Sequence, residues 1–114
     1  MTRSNLYIKL SNGDNINCVA DSSSAPEQGY FVETLLFPVL ALNNAERELA
    51  ILTEHCAMNE QRVNADYRYI INLKTKEVSF FRESYDFKND RFIKGENLTD
   101  RYNAYVSQIQ KQTL

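Results

Sequence analysis

The side chains in this chain best suited to covalent or metal chemistry are two cysteines, one histidine and three consecutive serines. His55 lies beside Cys56, but neighbours on a helix project about 100° apart. They cannot work on each other as base and nucleophile, and Cys18 joins them only if the fold brings it there. Two cysteines and one histidine supply at most three metal ligands, drawn from distant segments, against the three or four that zinc requires. Ser22, Ser23 and Ser24 have no base nearby, and the chain holds no G-x-S-x-G elbow. Three glycines leave no phosphate-cradling loop. Asp86 to Asp90 spaces its carboxylates like a calcium loop but lacks the central glycine and the distal glutamate. The sequence therefore assigns no catalytic residue, no metal and no cofactor, and points away from an enzyme.

Binding chemistry is better represented. Residues 66–93 contain Tyr67, Tyr69, Phe80, Phe81, Tyr85, Phe87 and Phe92, out of seven tyrosines and six phenylalanines in the whole chain, with Arg68 and Arg82 interleaved. Aromatic residues and arginine are the types on which interface energy concentrates. The candidate partner- or ligand-binding residues are Tyr67, Arg68, Tyr69, Phe81, Arg82 and Tyr85. They suggest a small non-catalytic, accessory or regulatory interaction domain whose partner is another protein or a second copy in an isologous dimer. On this reading Arg68→Glu or Tyr85→Ala weakens a contact without unfolding the domain. One alternative is a small anionic-ligand-binding protein or enzyme, with a pocket between sheet and helices, tyrosines lining it and Arg68 or Arg82 holding the anion. Another is a nucleic-acid-associated protein that stacks bases on an aromatic sheet. The RNP consensus is absent and the net charge is −2, both of which count against nucleic acid.

At 114 residues, 43% hydrophobic and 25% charged, the chain has the composition of a single globular domain spanning residues 1–114. Residues 1–60 carry three basic and eight acidic side chains, a net of −5; residues 61–114 carry ten and seven, a net of +3. This division suits an acidic helix layer against a basic sheet layer. No segment reaches the roughly 18 apolar residues of a membrane span, and no apolar run follows Met1. A cytoplasmic protein with two reduced, buried thiols and no membrane partner is the expectation.

The elements that must position these residues follow from periodicity. Around residues 74–76, strands of alternating character predict a hairpin. A three-residue loop would set Arg68 against Arg82, so the loop must be of two or four residues. Either even loop puts Tyr67, Tyr69, Ile71, Val78, Phe80 and Arg82 on one face, and Arg68, Ile70, Ser79, Phe81 and Glu83 on the other. A longer loop would use Asn72 to bond the turn backbone. A second turn at residues 88–90 leads into a short strand, 91–94, that ends at Gly95. Near the N-terminus, Asn12-Gly13 predicts a tight turn between strands 6–10 and 15–20. Ser24, Pro26 and Glu27 have the spacing of a helix start. Residues 31–42 read as a buried helix that Pro38 breaks or kinks near Thr34, with a buried strand over 31–37 as the competitor. Asn43 and Glu46 are spaced to cap a helix over 45–58. Thr99 is placed to cap a last helix, 100–112, with Tyr102, Tyr105, Val106 and Ile109 on its apolar face. Residues 1–4 and 113–114 are expected to fray. The fold class is α+β: an antiparallel sheet of about five strands (N-terminal hairpin plus C-terminal meander), covered by two to three helices, in the order β-β-α-α-β-β-β-α.

Overall fold

In the computed structural model the described residues are 2–21, 24–28 and 30–112, the last two of these without their side chains. The first hairpin forms where the sequence supplies left-handed backbone. Gly13 has φ +94°, and the loop closes through Gly13 N–H to the Leu10 carbonyl and Leu10 N–H to the Asp14 carbonyl, at 2.9 and 2.8 Å. It joins β1 (Ser4–Lys9) to β2 (Asn15–Ala20). Ser4, expected to fray, instead opens β1 fully buried, its hydroxyl 2.7 Å from that of Ser24. Met1, Leu114 and Thr113 lie outside the described residues.

Four further strands complete one sheet: β3 (Ala57–Met58), β4 (Tyr67–Asn72), β5 (Glu77–Asp86) and β6 (Arg91–Asn97). Their spatial order is β3-β2-β1-β4-β5-β6. The fold is α+β as expected, but the sheet has six strands rather than about five, and it is mixed rather than antiparallel. The hairpin and meander join through a parallel pairing of β1 with β4, Leu6 opposite Tyr69 and Ile8 opposite Ile71. Parallel neighbours need a crossover between them. Here the chain leaves β1, returns along β2, makes the helical layer and β3, and then runs back over β2 and β1 as residues 59–66. The extra strand appears because the helix expected over 45–58 stops at His55, and Cys56 is already extended at φ −130°, ψ 156°.

The meander turn has the four-residue form, with Asn72 opposite Glu77. The Asn72 carboxamide oxygen accepts the Lys74 and Thr75 N–H groups at 3.0 and 3.1 Å. The inner face of the sheet thus carries Leu6, Ile8, Cys18, Ala20, Tyr69, Ile71 and Phe80, all buried. Strand β6 does not stop at Gly95. A bulge separates the Phe81–Asn97 and Glu83–Lys94 pairs, and Gly95 lies in it because a Cβ there would come 3.3 Å from Arg82 Cβ.

Helices cover this face. Ser24 does not open a full helix, only the short 3-10 turn Pro26–Gln28. Residues 31–42 are helical rather than extended: a π-helical stretch, Phe31–Leu36, runs into α1 (Phe37–Leu40). Pro38 has no N–H to donate, and the ladder changes spacing beside it, Phe37 N–H still reaching five residues back to Val32. Phe31, Val32, Leu35, Leu36 and Val39 all point into the core, where the Phe31 and Tyr69 rings lie 4.5 Å apart and Tyr69 and Phe80 4.7 Å apart. Each such side chain contributes roughly 1.5–3 kcal/mol by burial. Helix α3 (Thr99–Gln112) packs on β5 through Tyr102, with Tyr105, Val106 and Ile109 at the core margin. Its first turn is capped by Asn97, which accepts the Thr99 N–H at 2.9 Å. The Thr99 hydroxyl is occupied elsewhere, accepting the Phe80 N–H at 3.1 Å.

Helix α2 (Ala45–His55) starts at the expected residue, but its cap is one residue later than expected. Asn44, not Asn43, accepts the Arg47 N–H at 3.0 Å, and Asn43 takes the left-handed turn at φ 53°. The reciprocal acid is Glu48, fully buried. Its carboxylate accepts the Asn44 N–H at 3.2 Å, the Ser11 N–H at 3.0 Å and the Ser11 hydroxyl, so one side chain fastens α2 to the β1–β2 loop. Glu48→Ala leaves three donors without their acceptor and is expected to cost about 2–4 kcal/mol in urea unfolding, whereas Glu46→Ala on the exposed face stays within about 0.5 kcal/mol.

Candidate functional site

The six residues singled out from the sequence do not form one surface. Tyr69 is fully buried on the inner face, its hydroxyl donating to the Ser24 carbonyl at 2.6 Å; burial and the nearby Tyr102 hold its pKa above the ordinary tyrosine range. Tyr67, on the same face, is half-buried under Arg101, whose guanidinium donates to the Tyr67 hydroxyl at 3.1 Å and grips Glu27 through two bonds of 2.5 and 2.8 Å. That grip holds the Glu27 carboxyl below its ordinary pKa. Arg82 lies 5.9 Å over the Tyr67 ring and 3.7 Å from Glu96, with 57% of its side chain exposed. Arg68, Phe81 and Tyr85 belong to the opposite, outer face. An aromatic platform for bases made from all six is therefore not present.

On the outer face, β1, β4 and β5 bring together a polar knot that periodicity alone does not reveal. Asn5 is fully buried. Its carboxamide donates to the Arg62 carbonyl at 3.1 Å and to Glu83 Oε2 at 3.0 Å, and accepts the Arg62 N–H at 2.8 Å. The Glu83 carboxylate, 1% exposed, receives Arg68 through Nη2 at 2.8 Å and Nε at 2.9 Å. Arg68 in turn lies 4.4 Å over the Tyr7 ring. The Tyr7 hydroxyl accepts from Gln61 at 2.6 Å and donates to Glu83 at 3.4 Å; burial and then the Glu83 charge raise its pKa. These bonds press residues 61 and 62 of the crossover onto the sheet. Arg68 is thus committed to the fold. The signal in the sequence was that Arg68 and Glu83 fall on the same face of adjacent strands; Asn5 gave none.

Beyond the last β4 pair, Tyr67 with Arg82, strands β5 and β6 continue alone as a two-stranded arm over residues 83–94. Its turn is built by Asp86, which accepts the Lys88 N–H at 3.0 Å, the Asn89 N–H at 3.2 Å and the Asn89 amide at 2.6 Å. The Asn89 bonds keep the Asp86 carboxyl below its usual pKa. Asp90 then takes φ 53°. Tyr85 stands opposite Phe92 with ring centroids 4.8 Å apart, and Phe87 packs edge-on to Tyr85 at 4.8 Å. Phe87 is 76% exposed and Ile93 39%. Lys94 closes the inner end, 4.8 Å over the Phe81 ring. Of the candidate residues, only Tyr85 lies in this cluster. Phe87 and Phe92 were legible as alternate aromatics flanking a turn.

Three open concavities among the described residues do not coincide with Arg68 or Arg82. One of about 480 Å³ lies between α1, β5 and α3, lined by Leu40, Lys76, Val78, Tyr102, Asn103 and Val106 among others. Two smaller ones, of about 310 and 270 Å³, share Asn15, Ile16 and Asn17 on the outer face. Neither Arg68 nor Arg82 lines any of the three. Among the described residues no group of three or more histidine, cysteine and acidic side chains is placed to hold a metal. His55 is exposed in the last turn of α2. No helix among them is long and apolar enough to cross a membrane. No family model, no curated protein and no solved structure matches the chain.

Removing Arg68 leaves a nearly inaccessible carboxylate without its cation. Arg68→Ala is expected to cost about 3–5 kcal/mol in chemical denaturation, and the paired replacement Arg68→Met with Glu83→Leu to recover most of it. Arg82→Ala, with its partner 3.7 Å away and exposed, is expected to cost under about 1 kcal/mol.

Proposed function

We propose that this protein is a small non-catalytic interaction module, and that it docks on a partner protein through the outer face of the β5–β6 arm. The observation that carries this reading is Phe87: a large apolar side chain, 76% exposed, at the tip of a projecting hairpin and continuous with Tyr85 and Phe92. A rigid aromatic group loses little conformational freedom on docking, and such anchors dominate interface energies when they enter an apolar cleft. Mixed charges around the cluster, Lys88, Asp90, Arg91 and Lys94, supply the polar rim such interfaces have.

The arm's free edge supports docking by side chains rather than by strand addition. The Gly95 bulge and the charged Arg91, Lys94 and Glu96 interrupt β6 as a template, and these devices discourage edge-to-edge pairing. The partner on this reading is a different protein presenting an apolar cleft, not a second copy extending the sheet. Arg68, assigned to binding from sequence, acts here by holding β5 at the root of the arm.

A photo-crosslinking phenylalanine analogue at position 87, compared with one at Lys74 in the opposite turn, tests this in the native cell. A single discrete adduct from position 87 and none from position 74 is expected, with Tyr85→Ala and Phe92→Ala each weakening the purified complex by about 10-fold or more. Equal, diffuse labelling from both positions, or an adduct only with another copy of the chain, contradicts the proposal.

A further inference from the structure

The helical layer and the sheet bring together two thiols that the sequence keeps 38 positions apart. In β2 and β3, Cys18 pairs with Met58 and Val19 with Ala57. Cys56 precedes this pairing by one residue, with extended backbone, immediately after α2. Residues two apart on a strand share a face, so Cys56 and Cys18 both turn to the inner side, diagonal to one another across the sheet's short outer strand. Both are free thiols, Cys18 buried and Cys56 partly exposed, and they are near enough for each to shift the other's ionisation.

We infer that Cys18 and Cys56 form a reversible intramolecular disulfide that clamps β3 and the C-terminal end of α2 to β2. The roles of the two sulfurs differ. The neighbouring Cys18 thiol favours the Cys56 thiolate and lowers its pKa, against burial and then the Asp21 charge, which raise it. The neighbouring Cys56 sulfur and burial hold the proton on Cys18 and raise its pKa. Cys56 is also the more accessible, so it is the attacking group.

With a small-molecule disulfide as oxidant, the Cys56 thiolate attacks one of its sulfurs and expels a thiolate, giving a mixed disulfide. Cys18 then loses its proton and attacks the Cys56 sulfur, expelling the second thiolate. The two protein thiols lose two electrons and two protons, and the small disulfide is reduced to two thiols. Closing the bond draws the sulfurs to about 2.05 Å. The ring it closes encloses the 3-10 turn, the π-helical stretch, α1 and α2, so the first half of the helical layer becomes covalently tied to the sheet. A two-residue strand such as β3 holds weakly without such a tie.

The test uses the full chain equilibrated with oxidised glutathione, followed by non-reducing peptide mapping and thermal melts with and without dithiothreitol. The expected result is a Cys18–Cys56 linked peptide with the loss of two hydrogens, and a dithiothreitol-reversible rise in Tm on the order of 10 °C, as for a ring of this size. Cys56→Ser and Cys18→Ala each abolish the shift. A stable glutathione adduct on Cys56 alone, an intermolecular disulfide, or two unmodified thiols after oxidation overturns the inference.

Discussion

One buried carboxylate governs the outer half of this fold. Glu83 sits almost out of reach of solvent, and a charge so placed is tolerable only when it is paired and fully hydrogen-bonded. It receives two bonds from Arg68, one from Asn5 and one from Tyr7. Three strands are thereby tied at one point, and through Asn5 and Tyr7 the crossover is tied as well. The parallel contact between β1 and β4 depends on that crossover, because residues 59–66 must lie flat across β2 and β1 to bring β4 home. Apolar packing holds the inner face and would hold it in several arrangements. The polar knot selects one, since a shift of β4 or β5 by a residue would strand the carboxylate.

The same knot explains why the arm exists. Strand β5 is long enough to pass β4, and Glu83 is the last residue of β5 that the body of the domain grips. Glu83 N–H also donates to the Asp66 carbonyl at 3.1 Å. Beyond it, only β6 supports β5. A two-stranded ribbon alone is marginal in water, and here it is stiffened by the Asp86 turn and by the three packed rings. The arm shows its aromatics on one side because the two-residue period set by the buried part of β5 continues outward unchanged. Its chemistry is thus inherited from the register of the core.

Much of the architecture was legible from local pattern. Asn12-Gly13, Asn72 and Asn89-Asp90 each marked a turn by its own backbone chemistry, and the alternation through residues 67–82 sorted the side chains between the two faces correctly. Physical competition accounts for the misreadings. The helix over 45–58 lost its last residues because Ala57 and Met58 pair with β2, which local propensity does not register. Asn43 and Asn44 are both good caps, and the choice between them was made by a contact 37 residues away, Ser11 with Glu48. The parallel joint between β1 and β4 is a long-range decision with no local signature. For the site, residue type drew attention to the aromatics and arginines of the meander, but type does not say which face is covered. Tyr69 went to the core, Arg68 to the knot, and the exposed role fell to Phe87.

The central claim is that Asn5 and Glu83 fix the crossover to the sheet. Native-state amide hydrogen exchange at Arg62 tests it most directly, because this N–H belongs to a loop yet donates to Asn5 Oδ1 at 2.8 Å. The account predicts protection at Arg62 comparable to that of β1 amides, lost in Asn5→Ala together with protection along β4. Exchange at the rate of an open loop in the wild-type chain, or an Asn5→Ala protein with β4 protection unchanged, would contradict it.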